Sequence, residues 1–193
     1  YTPKTSFQNT CGVKCAVSYV ESEKIRKKAK TLRAEKKVGR EKLKSRSDHL
    51  RETETAFRRY IRARDVLYYA KRGEPPTCIS CGTKNPSIQY AAGHFKTKGA
   101  YPELRLDDKN CFLQCNKRCN MALSGNINGT KDTHGYIKGL AIRFGEDEAG
   151  QILEYLEADR PMPKWTIDEL KEMKASFNKL ANEREKEYSD LID

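Results

Sequence analysis

Two cysteine pairs constrain this chain more than any other feature. Cys78 and Cys81 form C-x2-C, and Cys115 and Cys119 form C-x3-C. Each pair can put two thiolates on one tight turn, and two such turns can close a tetrahedral Zn2+ site. Gly82, just after the first pair, permits the backbone that such a turn needs. Four thiolates leave no open coordination position, so the predicted zinc is structural. The alternative is four reduced cysteines without a metal, rarely so regularly paired. Cys111 is expected to be a small buried hydrophobe, with replacement of Cys115 as a ligand left open. Cys11 and Cys15 are expected to be either inert or half of a second zinc knuckle, with partners upstream of Tyr1.

The rest of the chain explains why a metal staple is needed. Only 37% of the 193 residues are apolar and 34% are charged, so the hydrophobic core must be modest. No stretch approaches the roughly 20 apolar residues of a membrane helix, and the expectation is a soluble protein with reduced cysteines. The net charge is +11. Residues 1–72 carry 21 Lys and Arg against 8 Asp and Glu; residues 73–193 carry 17 against 19. A basic segment on a near-neutral body points to a polyanion, most simply nucleic acid.

Four segments are expected: a partial zinc knuckle at 1–18, a basic helical arm at 19–46, a helix joined to the zinc-framed module at 47–130, and a helical region at 131–193. The fold is expected to be mainly α. Gly39 should weaken the arm locally. A helix over 48–72 has its apolar stripe at Ala56, Phe57, Tyr60, Ile61, Val66, Leu67 and Ala70. Arg58, Arg59, Arg62 and Arg64 lie between these as phosphate contacts or as plain solubilising charge. Short strand-like pieces occur at 88–90 and 104–106. Two short helices follow in 133–159. Thr166 and Glu169 form a capping box for the last helix, whose Leu170, Met173, Phe177 and Leu180 suit internal packing or a dimer.

His94 lies between the two cysteine pairs, and thiolate counting leaves it spare. Asn110 precedes the second pair, Asn120 follows it, and Asn126 ends "SGN". This order resembles the zinc-containing HNH nucleases of the ββα-metal class. "CISCGT", "AGHFKT", "SGN" and "KWTIDELK" together resemble the NinG (Rap) recombination family of lambdoid phages. The resemblance covers nearly the whole chain and is most specific from 77 to 126.

That resemblance implies a small zinc-stabilised HNH-like module and a structure-selective endonuclease for branched DNA, in the cytoplasm of a host bacterium, beside phage recombination proteins. It implies His94 as general base, Asn110 as the brace of its loop, and Asn120 at the final position for a catalytic Mg2+ or Mn2+. Such nucleases commonly carry an acidic or histidine metal ligand just before the catalytic histidine, where this chain has Gly93; the family pattern also has Gly there. Asp107, Asp108 or Asn126 are the candidate replacements. The often basic position three after the last motif residue is Leu123. Lys96, Lys98, Arg105, Lys117 and Arg118 are expected phosphate contacts, and Tyr90 and Tyr101 either stack on unpaired bases or pack internally. His49 and His134 are expected at the surface. The competing readings are a non-catalytic zinc module that binds branched DNA and a ribosomal-type RNA-binding zinc protein.

Overall fold

The computed structural model describes residues 10–122 and 126–192. The "SG" of "SGN" and Leu123 lie outside them, as do the first nine residues of the expected N-terminal knuckle. The chain divides into two units, Tyr1–Ser45 and Arg46–Asp193.

The first unit is built on helix α1, Val13–Lys42, which buries no residue. Its Lys, Glu, Arg and Ala content favours helix throughout. The helix runs straight through Gly39, where a weakening was expected. The roughly 1 kcal/mol that glycine costs is offset by the strong helix formers around it. Ile25, Leu32 and Val38 are all more than half exposed, so α1 is a solvated basic rod.

In the second unit, α2 (Arg46–Ala70) and α5 (Ile167–Ile192) pack side by side. They run in the same direction, since Thr53 Oγ1 donates to Leu170 O at 2.9 Å and Arg59 reaches Asn182 and Glu185 further along both. Phe57 and Ile61 on α2 are fully buried and meet Met173 and Phe177 of α5. The α5 stripe therefore packs internally. Thr166 and Glu169 close the expected capping box, with Thr166 N donating to the Glu169 carboxylate at 2.6 Å.

The two strands are β1, Tyr90–His94, and β2, Cys111–Cys115, antiparallel with Tyr90 opposite Cys115 and His94 opposite Cys111. The piece expected at 104–106 is not a strand: Pro102–Leu104 is a 3-10 turn. Leu104 and Leu106 are buried there as loop anchors. Pro at the first turn position and the close run of polar residues favour the turn. After β2 the chain makes a π-helical turn, Asn116–Asn120. Helices α3 (Tyr136–Phe144) and α4 (Glu146–Glu157) cover the other face of the hairpin.

A buried ion network ties these layers together. Asp65, fully buried, accepts from Arg64 Nε at 2.9 Å and Arg143 at 2.8 Å through one oxygen, and from Leu113 N at 2.7 Å through the other. Burial alone would raise its pKa, but the two guanidinium groups outweigh that and hold the carboxyl below its usual value. Arg64 also donates to the carbonyls of Asp108 and Cys111. It is a structural clamp between α2 and β2.

Candidate functional site

The loop after α2 and the end of β2 bring four cysteines together. Sγ atoms of Cys78, Cys81, Cys115 and Cys119 all lie within 4.8 Å of one another. Cys81 and Cys115 are 3.7 Å apart. A tetrahedron with Zn–S bonds of about 2.3 Å has sulfur edges of about 3.8 Å, so the cluster can hold a metal ion such as zinc. Gly82 makes the turn at φ +67°, its N–H donating to Cys78 O at 2.9 Å. Cys111 takes no part in the cluster; it is fully buried beside Phe57 and Ile61.

Asn126 belongs to this cluster. Its Nδ2 donates to Cys119 Sγ at 3.3 Å, and its Oδ1 accepts from Thr133 Oγ1 at 3.0 Å. Asn126 is thus placed against the Cys119 sulfur, with φ of 51°. A hydrogen bond to a thiolate stabilises its charge and orients the ligand. His134 is half-buried: its Nε2 donates to Ile79 O at 2.9 Å, behind the first cysteine turn. His49, expected exposed, is 3% exposed. It lies on the buried side of α2.

Gly93 has a steric reason. Strand side chains alternate between faces, so position 93 points away from the face that carries His94. A Cβ there would stand 1.8 Å from Gln114 Oε1 and 2.6 Å from Gln114 Cδ. Gln114 is itself buried, with Nε2 donating to Ser80 Oγ at 2.6 Å. No acid fits at 93, and one placed there would face Gln114.

His94 ends β1 and opens onto a cleft of about 510 Å³. The cleft is lined by Glu54, Arg58 and Arg62 from α2, by Lys98, and by Asn116 and Asn120 from the π-helical turn. His94 Nε2 lies 3.0 Å from Arg105 O. A carbonyl only accepts, so Nε2 carries the proton and Nδ1 is the basic nitrogen. The nearest partner of Nδ1 is Cys111 Sγ at 3.9 Å, a weak contact. Burial holds the imidazole below its ordinary pKa of 6.5, Lys98 and Arg58 push it further down, and the Arg105 carbonyl and Glu54 oppose them.

Asn110 fixes the loop after His94. Fully buried, it accepts from Lys96 N at 2.7 Å and donates to Lys96 O and Leu104 O, each at 3.0 Å. Asn120 donates to Asn116 Oδ1 at 3.2 Å, and Asn116 donates to Gln89 Oε1 at 3.1 Å. Asn120 lines the cleft with its amide nitrogen committed to Asn116. Because Asn120 directly follows Cys119, a metal in the cysteine cluster anchors this wall.

The basic residues separate by position. Arg58, Arg62 and Lys98 line the cleft. Arg59 is committed to Glu185 and Asn182 of α5, and Lys96 Nζ to Glu157 at 2.5 Å. Arg105 approaches Glu54 Oε1 at 3.4 Å. Lys117 and Arg118 are exposed on the π-helical turn. Tyr90 donates to backbone carbonyls, including Pro76 O at 2.9 Å, and serves packing; Tyr101 is exposed. Cys11 and Cys15, in the other unit, are exposed with Sγ atoms 3.0 Å apart.

Glu54, which the sequence pattern did not single out, also lines the cleft. The signal was its spacing: 54, 58 and 62 fall four apart, on one line of a helix.

The profile of the family described as Bacteriophage Lambda NinG protein matches residues 1–187. Protein ninG of Escherichia phage lambda is 35% identical over 141 residues, 73% of this chain and 59% of that protein. Protein ninG of Salmonella phage P22 is 36% identical over 141 residues, 73% of this chain and 60% of that protein. Protein ninG of Escherichia phage 933W is 34% identical, again over 73% of this chain and 60% of the relative. The matched stretch thus spans about three fifths of these relatives' length. No solved structure matches the chain.

Proposed function

The chain belongs to the Bacteriophage Lambda NinG family, and from that premise we propose that it is a phage recombination endonuclease that hydrolyses phosphodiesters in branched DNA, such as D-loops and Holliday-like joints. The observation that carries this reading is the tautomer of His94: with Nε2 held by Arg105 O, Nδ1 is the basic nitrogen of a residue that lines a cation-rich cleft. A buried imidazole with a lowered pKa is already neutral at pH 7, the state a general base needs.

In this reading His94 Nδ1 takes the proton from the attacking water. Arg58, Arg62 and Lys98 receive the phosphate oxygens. Asn110 keeps the His94 loop in place through its two-way bonding with Lys96. Asn120 contributes an amide oxygen suited to a hard divalent cation. Mg2+ or Mn2+, when bound, supplies charge neutralisation at the scissile phosphate and the departing oxygen. The cysteine cluster, with a structural zinc, frames both walls in the manner of an HNH-like ββα-metal module. Basic helix α1 adds sequence-independent affinity that falls with salt. A host-cell cytoplasmic site of action fits this reading, and among the described residues no helix is long and apolar enough to cross a membrane.

One observation favours a second reading, a zinc module that binds branched DNA without cutting it. The carboxylate in the cleft, Glu54, is paired with Lys98 at 2.7 Å. The test is purified full chain with labelled four-way and three-strand joints, with and without Mg2+ or Mn2+. Metal-dependent nicks support the nuclease; binding without nicks under every condition overturns it in favour of the second reading.

A further inference from the structure

The structure leaves one question that Gly93 posed: where a catalytic cation would find a carboxylate. Asp107, Asp108 and Asn126 all lie outside the lining of the His94 cleft. Asp107 accepts from Lys109 N at 2.9 Å and from Tyr155 OH at 2.7 Å. Asp108 faces Arg64 at 4.0 Å. Asn126 is bonded to Cys119. None of them lines the cleft of His94.

Glu54 does, and it comes from α2, outside the segment framed by the cysteine pairs. It is only 9% exposed, and both its oxygens face cations: Oε2 lies 2.7 Å from Lys98 Nζ and Oε1 3.4 Å from Arg105 Nε. It is the sole carboxylate among the described residues lining the cleft. Asn120 lines the same cleft, its amide nitrogen bonded to Asn116, which leaves its oxygen as the ligand atom. A carboxylate and an amide oxygen in one partly enclosed cleft are the donor types that Mg2+ and Mn2+ select, with water completing the shell.

We infer that Glu54 and Asn120 form the divalent-cation site of the His94 cleft, with Lys98 occupying the Glu54 carboxylate until a cation or a phosphate displaces it. This rests on the nuclease reading for its purpose, but the site is defined by binding alone. Lys98 and an incoming cation compete for one carboxylate. A DNA phosphate that draws Lys98 and Arg105 away frees it. Substrate and cation then favour each other's binding, as linkage requires.

The test is Mn2+ titration of the zinc-loaded full chain, followed by electron paramagnetic resonance, with zinc content and circular dichroism recorded on each variant. Glu54→Gln and Asn120→Ala should each weaken Mn2+ about tenfold or more. Lys98→Met, at a half-exposed position, should tighten it severalfold by removing the competitor. A purely structural ion pair predicts no gain from Lys98→Met. Unchanged Mn2+ affinity in both Glu54→Gln and Lys98→Met overturns the site, and Lys98→Met alone decides the matter if Glu54→Gln fails to fold. A wild-type chain that binds Mn2+ through Glu54 yet never nicks joints would leave the site standing and overturn the nuclease reading.

Discussion

His94 donates through Nε2 to the backbone carbonyl of Arg105, 3.0 Å away, and this single bond determines which ring nitrogen can act as a base. It also places the imidazole under the influence of its charged neighbours, because the loop from Lys96 to Arg105 carries Lys98 back over the cleft.

The first expected outcome concerns pH. In the proposed chemistry the neutral imidazole is the competent form, so cleavage should rise with pH through the His94 pKa and then level off. Burial and the cations place that rise below 6.5. Glu54 opposes them, so Glu54→Gln should move the His94 titration further down, and Lys98→Met should move it up. Imidazole proton chemical shifts of the three proteins measure this directly; shifts in the opposite directions would contradict the assigned surroundings. The same depression means that the folded state loses stability as pH falls through the ordinary histidine pKa of about 6.5.

A second outcome follows from Gly93. Gly93→Ala drives a methyl into Gln114, which Ser80 holds in place. Overpacking of this kind costs about 1–3 kcal/mol, seen as a lower urea midpoint. The double variant Gly93→Ala/Gln114→Ala should recover part of that loss, because the two changes share one contact. Strictly additive losses would show that the glycine is needed for some other reason.

The cysteine cluster gives a third. Cys119→Ala should remove one equivalent of zinc from the full chain and loosen the hairpin, while Cys111→Ala should leave zinc content unchanged. Metal analysis of the two purified variants checks this. Loss of zinc in Cys111→Ala would place that thiol in the site.

Asp65 gives a fourth. Asp65→Asn leaves Arg64 and Arg143 buried without their counter-charge. Breaking such a network costs about 3–5 kcal/mol, or on the order of 10 °C in Tm for a chain of this size. Differential scanning calorimetry measures it; a change within 1 °C would contradict the role assigned to the network.

These elements show what was readable in the sequence and what was not. The cysteine cluster and the helix cap at Thr166 depend on short spacings, and short spacings are visible in a string of residues. The stripe on α5 was visible too, but its partner was not, because the Phe57–Phe177 contact joins residues 120 apart. Strand β2 was hidden because Cys111–Cys115 is buried on both faces and shows no alternation. His49 was misjudged because burial of a lone histidine depends on the packing around it. Glu54 was not singled out because its place in the cleft comes from where α2 meets β1, a tertiary fact. The zinc-framed module as an HNH-like nuclease came from resemblance, not from spacing alone.

His94 as the base is the centre of the proposed chemistry. The decisive measurement is single-turnover cleavage of a four-way junction by wild type and His94→Ala, with Mn2+, at equal zinc content and equal junction occupancy. The expected result is metal-dependent nicking by wild type and a rate lower by about 10²–10⁴ in the variant, with binding unchanged. Equal rates in the two proteins would contradict it.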